Sequence, residues 1–354
     1  MNRRFALVLL VLLAVLGGAA LLYYHQERGR RPAAVGTLGQ PLLKDLKVAD
    51  VAAIRIVEPK ATLTLERKDD RWTIAERGGF PADHAKVREF LINAIGLKVG
   101  QSEPAGEKDR ARLNLDASGT QVEFLGADGK PLSRLTVGKK YFKREVENPE
   151  KARGDGRFVA VAAETQNVYL VSDPLTQASA RSADWIDRSS FKVEKVKSLE
   201  VRYPGGEGSY RIERSGDNAD WKLAAPRPGE KLEVTRANAA TYSLSMLQLF
   251  DVAPKDLKDT GLDKPTLIDA TTLDGLAYHI KVGRLEGDNH YVTFTSSGTP
   301  KGDEKDAERI KALQERQPYE KLLSQHVLLM PKSKLEDTLK KRSELLEQKD
   351  DRKK

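Results

Sequence analysis

The chain has 354 residues, 39% of them hydrophobic and 32% charged, with a formal net charge of +8 and no cysteine. Lack of cysteine excludes disulfides, thiolate metal sites and cysteine nucleophiles. Basic and acidic residues are interspersed and aromatics make up only 6%, so the charge reads as a solvated mixed surface and not as a nucleic-acid platform. The length suits about two domains.

Phe5 to Leu22 reads FALVLLVLLAVLGGAALL, 18 residues without a charge. As a helix it spans about 27 Å, close to the ~30 Å hydrocarbon core of a bilayer. Arg3 and Arg4 precede it; Tyr23 and Tyr24 follow where amphipathic rings favour the headgroup layer, with Arg28, Arg30 and Arg31 beyond. Residues 1–28 are therefore predicted to be a single-pass transmembrane anchor with Phe5–Leu22 as its core. Gly18-Ala19-Ala20 would suit signal cleavage, but the run exceeds the usual ~7–15 residues and Leu21 and Leu22 continue it, so a retained anchor is favoured. The flanking arginines are too evenly divided to set orientation. No second run approaches spanning length, and the mean hydropathy of −0.52 makes the remainder markedly polar.

Residues 29–45 carry glycines and prolines without apolar periodicity and read as a tether. Ala53–Val57, Thr62–Arg67 and Arg71–Ile74 read as strands, the last two forming a hairpin with one face to bury. A helix is predicted after Pro81-Ala82-Asp83, with Val87, Phe90, Leu91, Ala94 and Ile95 on one side and Gly96 at its end. Ser102–Arg110 reads as a polar loop. Thr120–Leu125 and Ser133–Val137 flank Asp128-Gly129, a strong hairpin turn, and Phe158–Val161 pairs with Asn167–Val171. Leu175–Ile186 is expected to be helical.

The pattern then recurs. Ser198–Pro204 echoes Ala53–Pro59, and Ile212-Glu213-Arg214 with Trp221 mirrors Leu65-Glu66-Arg67 with Trp72. Thr235–Phe250 is expected to be a second helix, with Ala239, Tyr242, Leu244, Met246, Leu247, Leu249 and Phe250 apolar. Thr266–Ala270 and Ala277–Val282 flank Leu273-Asp274-Gly275, Gly283 stands where Gly138 stood, and Tyr291–Phe294 and His326–Pro331 complete the set. The reading is two tandem copies of one unit of roughly 145 residues: 46–190 and 191–331. A charged helical insertion, 297–325, is divided by Pro318. Residues 332–354 form a charged tail whose thin stripe of Leu335, Leu339 and Leu346 favours a solvated helix.

Chemistry-bearing motifs are scarce. His25, His84, His279, His290 and His326 lack partners at metal-site spacing; His290 beside Asp288 is the best metal candidate and a weak one. There is no G-x-S-x-G elbow, P-loop or strand-borne G-x-G-x-x-G. Trp72 and Trp221 could be a carbohydrate platform, but their matching places after a hairpin favour core anchors for the following helix. No catalytic, cofactor-binding or metal residue is predicted.

Arg71-Trp72-Thr73-Ile74 with Ala82-Asp83, Trp221-Lys222-Leu223, Gly261-Leu262-Asp263-Lys264-Pro265 and the Val-Gly steps at Val137-Gly138 and Val282-Gly283 resemble the bacterial family called domain of unknown function 4340. The resemblance implies the inner membrane, often beside components of gliding-motility-type ABC exporters, and brings no catalytic residues. The expectation is an α+β tandem-repeat body behind one transmembrane helix, with its bulk in the periplasm. It would be a non-enzymatic accessory or scaffold subunit of an ABC-type export complex. Its partners would be the lipid bilayer and transporter permease or auxiliary subunits, with no nucleic acid and no cofactor. The alternatives are an envelope hydrolase using converging carboxylates and a ligand-binding sensor module.

Overall fold

A computed structural model describes residues 17–18, 38–69 and 71–348. Of the predicted anchor Phe5–Leu22 only Gly17 and Gly18 are described, both helical; the rest lies outside the described residues. Among the described residues no helix is long and apolar enough to cross a membrane.

The fold is α+β, built on two antiparallel sheets. The first uses β1 (Ala53–Glu58), β2 (Ala61–Lys68), β3 (Arg71–Ile74), β4 (Phe80–Pro81), β5 (Val99–Pro104), β6 (Thr120–Leu125), β7 (Pro131–Tyr141), β8 (Gly156–Val161) and β9 (Asn167–Val171). Their order is β4-β3-β2-β1-β6-β7-β8-β9-β5. Helix α1 (His84–Ile95) and the short α2 (Glu107–Arg112) accompany them. The second sheet uses β10 (Val196–Arg202), β11 (Tyr210–Glu213), β12 (Lys222–Leu223), β13 (Asp251–Val252), β14 (Thr266–Thr272), β15 (Ala277–Glu286), β16 (Asn289–Ser297) and β17 (Leu328–Pro331). Its order is β12-β11-β10-β14-β15-β16-β17-β13, the same succession as the first without β4. Helices α3 (Val234–Tyr242) and α4 (Ala307–Leu323) belong to this half. By contacts the chain divides into two units, residues 84–181 with the part before 70, and residues 71–83 with the part from 182 onward.

Period-two alternation builds each core. Ile54 and Ile56 face Leu65 and Leu63 on one side and Phe124 and Val122 on the other, all buried. Each such side chain contributes roughly 1.5–3 kcal/mol by leaving water. The intervening Arg55 and Glu123 sit on the opposite face, 3.9 Å apart, Arg55 exposed and Glu123 half-buried. Helix α1 lays Val87, Phe90, Leu91 and Ala94 on the core, with Phe90 stacked on Phe124 at 6.2 Å. In the second unit Leu199, Ile268, Ile280, Val292 and Phe294 play the same part, and Phe191 stacks on Phe294 at 3.7 Å.

The two Val-Gly steps have one local geometry. The strand N–H after Gly138 donates to Leu113 O at 2.9 Å, and that after Gly283 donates to Thr260 O at 3.0 Å. The next loop residue is left-handed in both: Asn114 (φ 55°) and Gly261 (φ 70°). A Cβ on Gly138 would lie 2.3 Å from Leu113 O, and one on Gly283 2.2 Å from Thr260 O, so only glycine admits this approach.

Several expectations are corrected. The tether reading of 29–45 fails for its described part: Gly39 N donates to Val99 O, Pro41 bridges Lys98 and Leu43 is buried. Ser102–Arg110 is not all loop, since β5 runs to Pro104 and α2 begins at Glu107. Leu175–Ile186 is not a helix. Asp173 caps the Leu175 N–H, Leu175 has φ 48°, and only Ser182–Asp184 forms a 3-10 turn. The helix expected to Phe250 ends at Tyr242, where Ser243 and Ser245 hydroxyls bond backbone carbonyls; Tyr242, Met246 and Phe250 are exposed, not core. Helix α4 runs through Pro318 without being divided there.

The tail is the largest correction. From Lys332 it forms 3-10 turns, not a solvated helix, and Leu335, Thr338 and Leu345 are fully buried. Tyr210 Oη donates to Thr338 O at 2.7 Å, Tyr203 Oη donates to Leu339 O, and Leu346 bridges Leu232. Arg342 clasps Glu230 with contacts of 2.6 and 3.1 Å. The Arg342 hydrogen bond, helped by the Arg227 N–H, draws the Glu230 carboxyl from 4.5 to about 2.

Two outcomes follow from this geometry. Gly138→Ala and Gly283→Ala each lower stability by about 2 kcal/mol in chemical denaturation, as overpacking does, whereas Gly216→Ala, with nothing near its Cβ, is neutral. A carboxyl whose pKa is depressed on folding contributes stability above its unfolded pKa and loses it as pH falls through the folded one. Glu230→Gln is therefore less stable than the wild-type chain above about pH 4.5, and the difference closes toward pH 2, measured by melting temperature across that range.

Candidate functional site

The most site-like feature lies in the second unit, where α4 meets the segment before β10. Arg309 and Arg316 are seven residues apart, two turns of helix, and share a face. Arg309 donates from Nε and Nη2 to Asp274 Oδ2 at 3.1 and 2.7 Å, and from Nη1 to Glu194 at 3.5 Å. Arg316 reaches Glu194 at 3.7 Å and donates to Lys192 O at 3.0 Å. Its Nε sits 2.8 Å from Glu320 Oε1 as an ion pair without hydrogen-bond alignment. Lys195 Nζ lies 3.2 Å from Asp306. Asp274 and Glu320 side chains are only 6% and 3% exposed, so these pairs are largely out of water. Burial raises the Glu320 pKa, against the pull of Arg316.

Glu194, Lys195 and Arg309 of this web line a cleft of about 620 Å³, within the usual range for ligand sites. Val193–Val196 form one side, Asn238, Ala239, Thr241 and Tyr242 another, and Arg309 closes it. Trp221 is buried at its base, donating Nε1–H to Asn238 Oδ1 at 3.0 Å, with Arg214 over its ring at 4.8 Å. Trp221 thus ties its hairpin to α3, and with Arg214 on one face it is not a free sugar platform. Trp72 is likewise buried. Tyr242, 65% exposed, stands at the lip. The cleft offers mixed polarity with its charges internally paired, which suits recognition better than proton transfer.

The histidines do not converge. His25 lies outside the described residues. His84 opens α1 and is exposed, His279 pairs with Asp269, and His326 meets Phe80 edge-on at 5.2 Å. His290 donates Nδ1–H to Gly283 O at 3.1 Å, with its pKa lowered by burial; no bond joins it to the Asp288 side chain. Among the described residues no group of three His, Asp or Glu could hold a metal. The buried carboxylates are also engaged. Asp251, for instance, takes hydrogen bonds from Ser182 Oγ at 2.6 Å and Arg77 Nη2 at 3.3 Å. The sequence reading missed Glu194, Lys195, Asp274 and Arg309. Asp274 looked like a turn residue, and only the spacing of Arg309 and Arg316 hinted that α4 has an ionic underside.

The architecture is an α+β protein with two like-ordered antiparallel sheets and a charge-lined cleft in the second unit. A family profile described as Domain of unknown function (DUF4340) matches residues 72–265, more than half of the chain, and the chain belongs to that family. No curated protein and no solved structure matches it.

Arg309→Gln leaves the buried Asp274 carboxylate with only Lys195, at 4.0 Å, as its cation and costs about 3 kcal/mol. Arg309→Gln with Asp274→Asn recovers much of that, and a double-mutant cycle in chemical denaturation measures the coupling.

Proposed function

We propose that the chain is a membrane-anchored, periplasm-facing, non-enzymatic accessory or scaffold subunit, serving an ABC-type export or gliding-like transport complex. The observation that carries this reading is the uncharged Phe5–Leu22 run standing before a large polar body. The body is read as two tandem copies, 46–190 and 191–331, followed by the tail from 332. Support comes from the common strand order of the two sheets and the matched glycine steps at Gly138 and Gly283. The transporter partner and the inner-membrane setting come from the family resemblance. A ligand-binding sensor module is the second reading, favoured by the cleft beside Trp221.

Gentle detergent solubilisation of the full chain, with affinity capture, tests the main reading. The expected outcome is co-purification of permease or ATPase subunits, with the intact chain in the membrane fraction and deletion of residues 1–22 moving the body to the soluble fraction. Recovery of the intact chain in the soluble fraction, first residues attached, overturns it.

A further inference from the structure

One end of the first unit carries an excess of cations, several of them without an ion-pair partner among the described residues. The stretch from the end of β7 through the connection to the start of β8, Lys139 to Arg157, holds seven basic and four acidic residues. Among the described residues Lys139, Lys143, Arg144, Lys151, Arg153 and Arg157 have no carboxylate partner, unlike Arg134, Arg202 or Arg342, each of which holds an acid. The Arg157 Nε is buried without an acceptor, and burial lowers its pKa, yet a guanidinium stays charged at neutral pH.

The connection is built, not loose. Lys140 Nζ donates to the carbonyls of Pro149, Glu150 and Ala152 at 3.3, 2.7 and 2.7 Å. The Lys143 N–H donates to Asp155 Oδ2 at 2.8 Å, the Asp155 N–H donates to Tyr141 O at 2.8 Å, and Tyr141 meets Phe158 edge-on at 6.0 Å. The remaining cations therefore project from a fixed frame.

That frame lies at the end of the sheet where the chain arrives from its apolar segment. Arg157 pairs with Val171, Val171 with Val99, and Val99 exchanges hydrogen bonds with Gly39 and Gln40 at 2.8 and 3.0 Å. Lys98, also exposed, bridges Pro41 at the same place, and Leu38 is exposed beside it. Only residues 23–37 separate Leu22 from Leu38, so this end cannot stand more than about 55 Å from the apolar run.

We propose that this end of the first unit, presenting the exposed Lys143, Arg144, Lys151 and Arg153, rests on the headgroups of an anionic bilayer. Clustered cations beside a membrane are attracted to acidic lipid within a Debye length of its surface. The chain thus makes a second, electrostatic contact with the membrane. The inference rests on the anchored reading above.

The chain has no cysteine, so single labels are clean. Glu147→Cys and, as a control in the second unit, Asn218→Cys are made in the full chain, given an environment-sensitive dye, and placed in nanodiscs carrying a headgroup quencher. The expected result is strong quenching at 147 in discs containing phosphatidylglycerol and several-fold less in phosphatidylcholine alone. The quenching is lost in high salt and in the Lys143→Glu, Arg144→Glu, Lys151→Glu, Arg153→Glu variant, whose melting temperature stays unchanged. Equal quenching in both lipids, quenching at 218 matching that at 147, or indifference to charge reversal overturns the proposal. Retention of the chain in discs reports the anchor separately. If the chain does not insert, co-flotation with vesicles of the two compositions decides: capture by the anionic vesicles alone supports the proposal, and no capture, or equal capture by both, overturns it.

Discussion

Each sheet depends on burying one alternating apolar face, and the elements packed on that face hold the fold together. Ile54, Leu65, Phe124 and their neighbours alternate with Arg55 and Glu123, so a slip of one residue would turn the whole apolar set to water. α1 covers the first sheet by laying Phe90 on Phe124. In the second unit α3 brings fewer large side chains, burying Ala237, Ala240 and Thr241, and the balance comes from Phe191 and the C-terminal segment. The helix is shorter because serines at 243 and 245 compete for its last carbonyls, and the chain recruits distant residues to finish the cover.

What was legible in the sequence was what is local. The strands from Ala53 to Ile74, the hairpin at Asp128-Gly129 and the Val87-Phe90-Leu91-Ala94 stripe all declare themselves by spacing, and they stand as read. Edge strand β5 did not, because Gly100, Gln101 and Glu103 give it no alternation to detect. Leu175–Ile186 has helical apolar spacing, but Asp173-Pro174 and a left-handed Leu175 commit the backbone elsewhere. The tail misled most. Its leucines are too sparse for a helix face, and their burial depends on Tyr203, Tyr210 and Glu230, more than a hundred residues earlier in the chain. The cleft was illegible for the same reason, since Asp274 and Arg309 acquire their meaning only when α4 lies down.

The insertion is what sets the two units apart in chemistry. It brings Arg309 and Arg316 against the half-exposed Glu194 and the buried Asp274 and Glu320, and these pairs make α4 an ionic fixture with Leu313 and Leu323 as its buried apolar side chains. Such pairs contribute little net stability, because desolvation offsets their attraction, but they are intolerant of losing one member. They therefore fix the place of the helix more than they strengthen the fold. A wall fixed in this way keeps the cleft beside Trp221 at a defined width.

The fully buried Leu335 and Leu345 have a consequence for biogenesis. The first unit has its last strand by residue 171 and its last buried side chains by Ala180, so its core can close before the second sheet begins at Val196. The second unit has no such freedom. Its tyrosines at 203 and 210 wait for carbonyls at 338 and 339, so that half stays open until nearly the whole polypeptide has left the ribosome or the translocation channel. During that interval its unfinished sheet is the part of the molecule a chaperone or protease would meet.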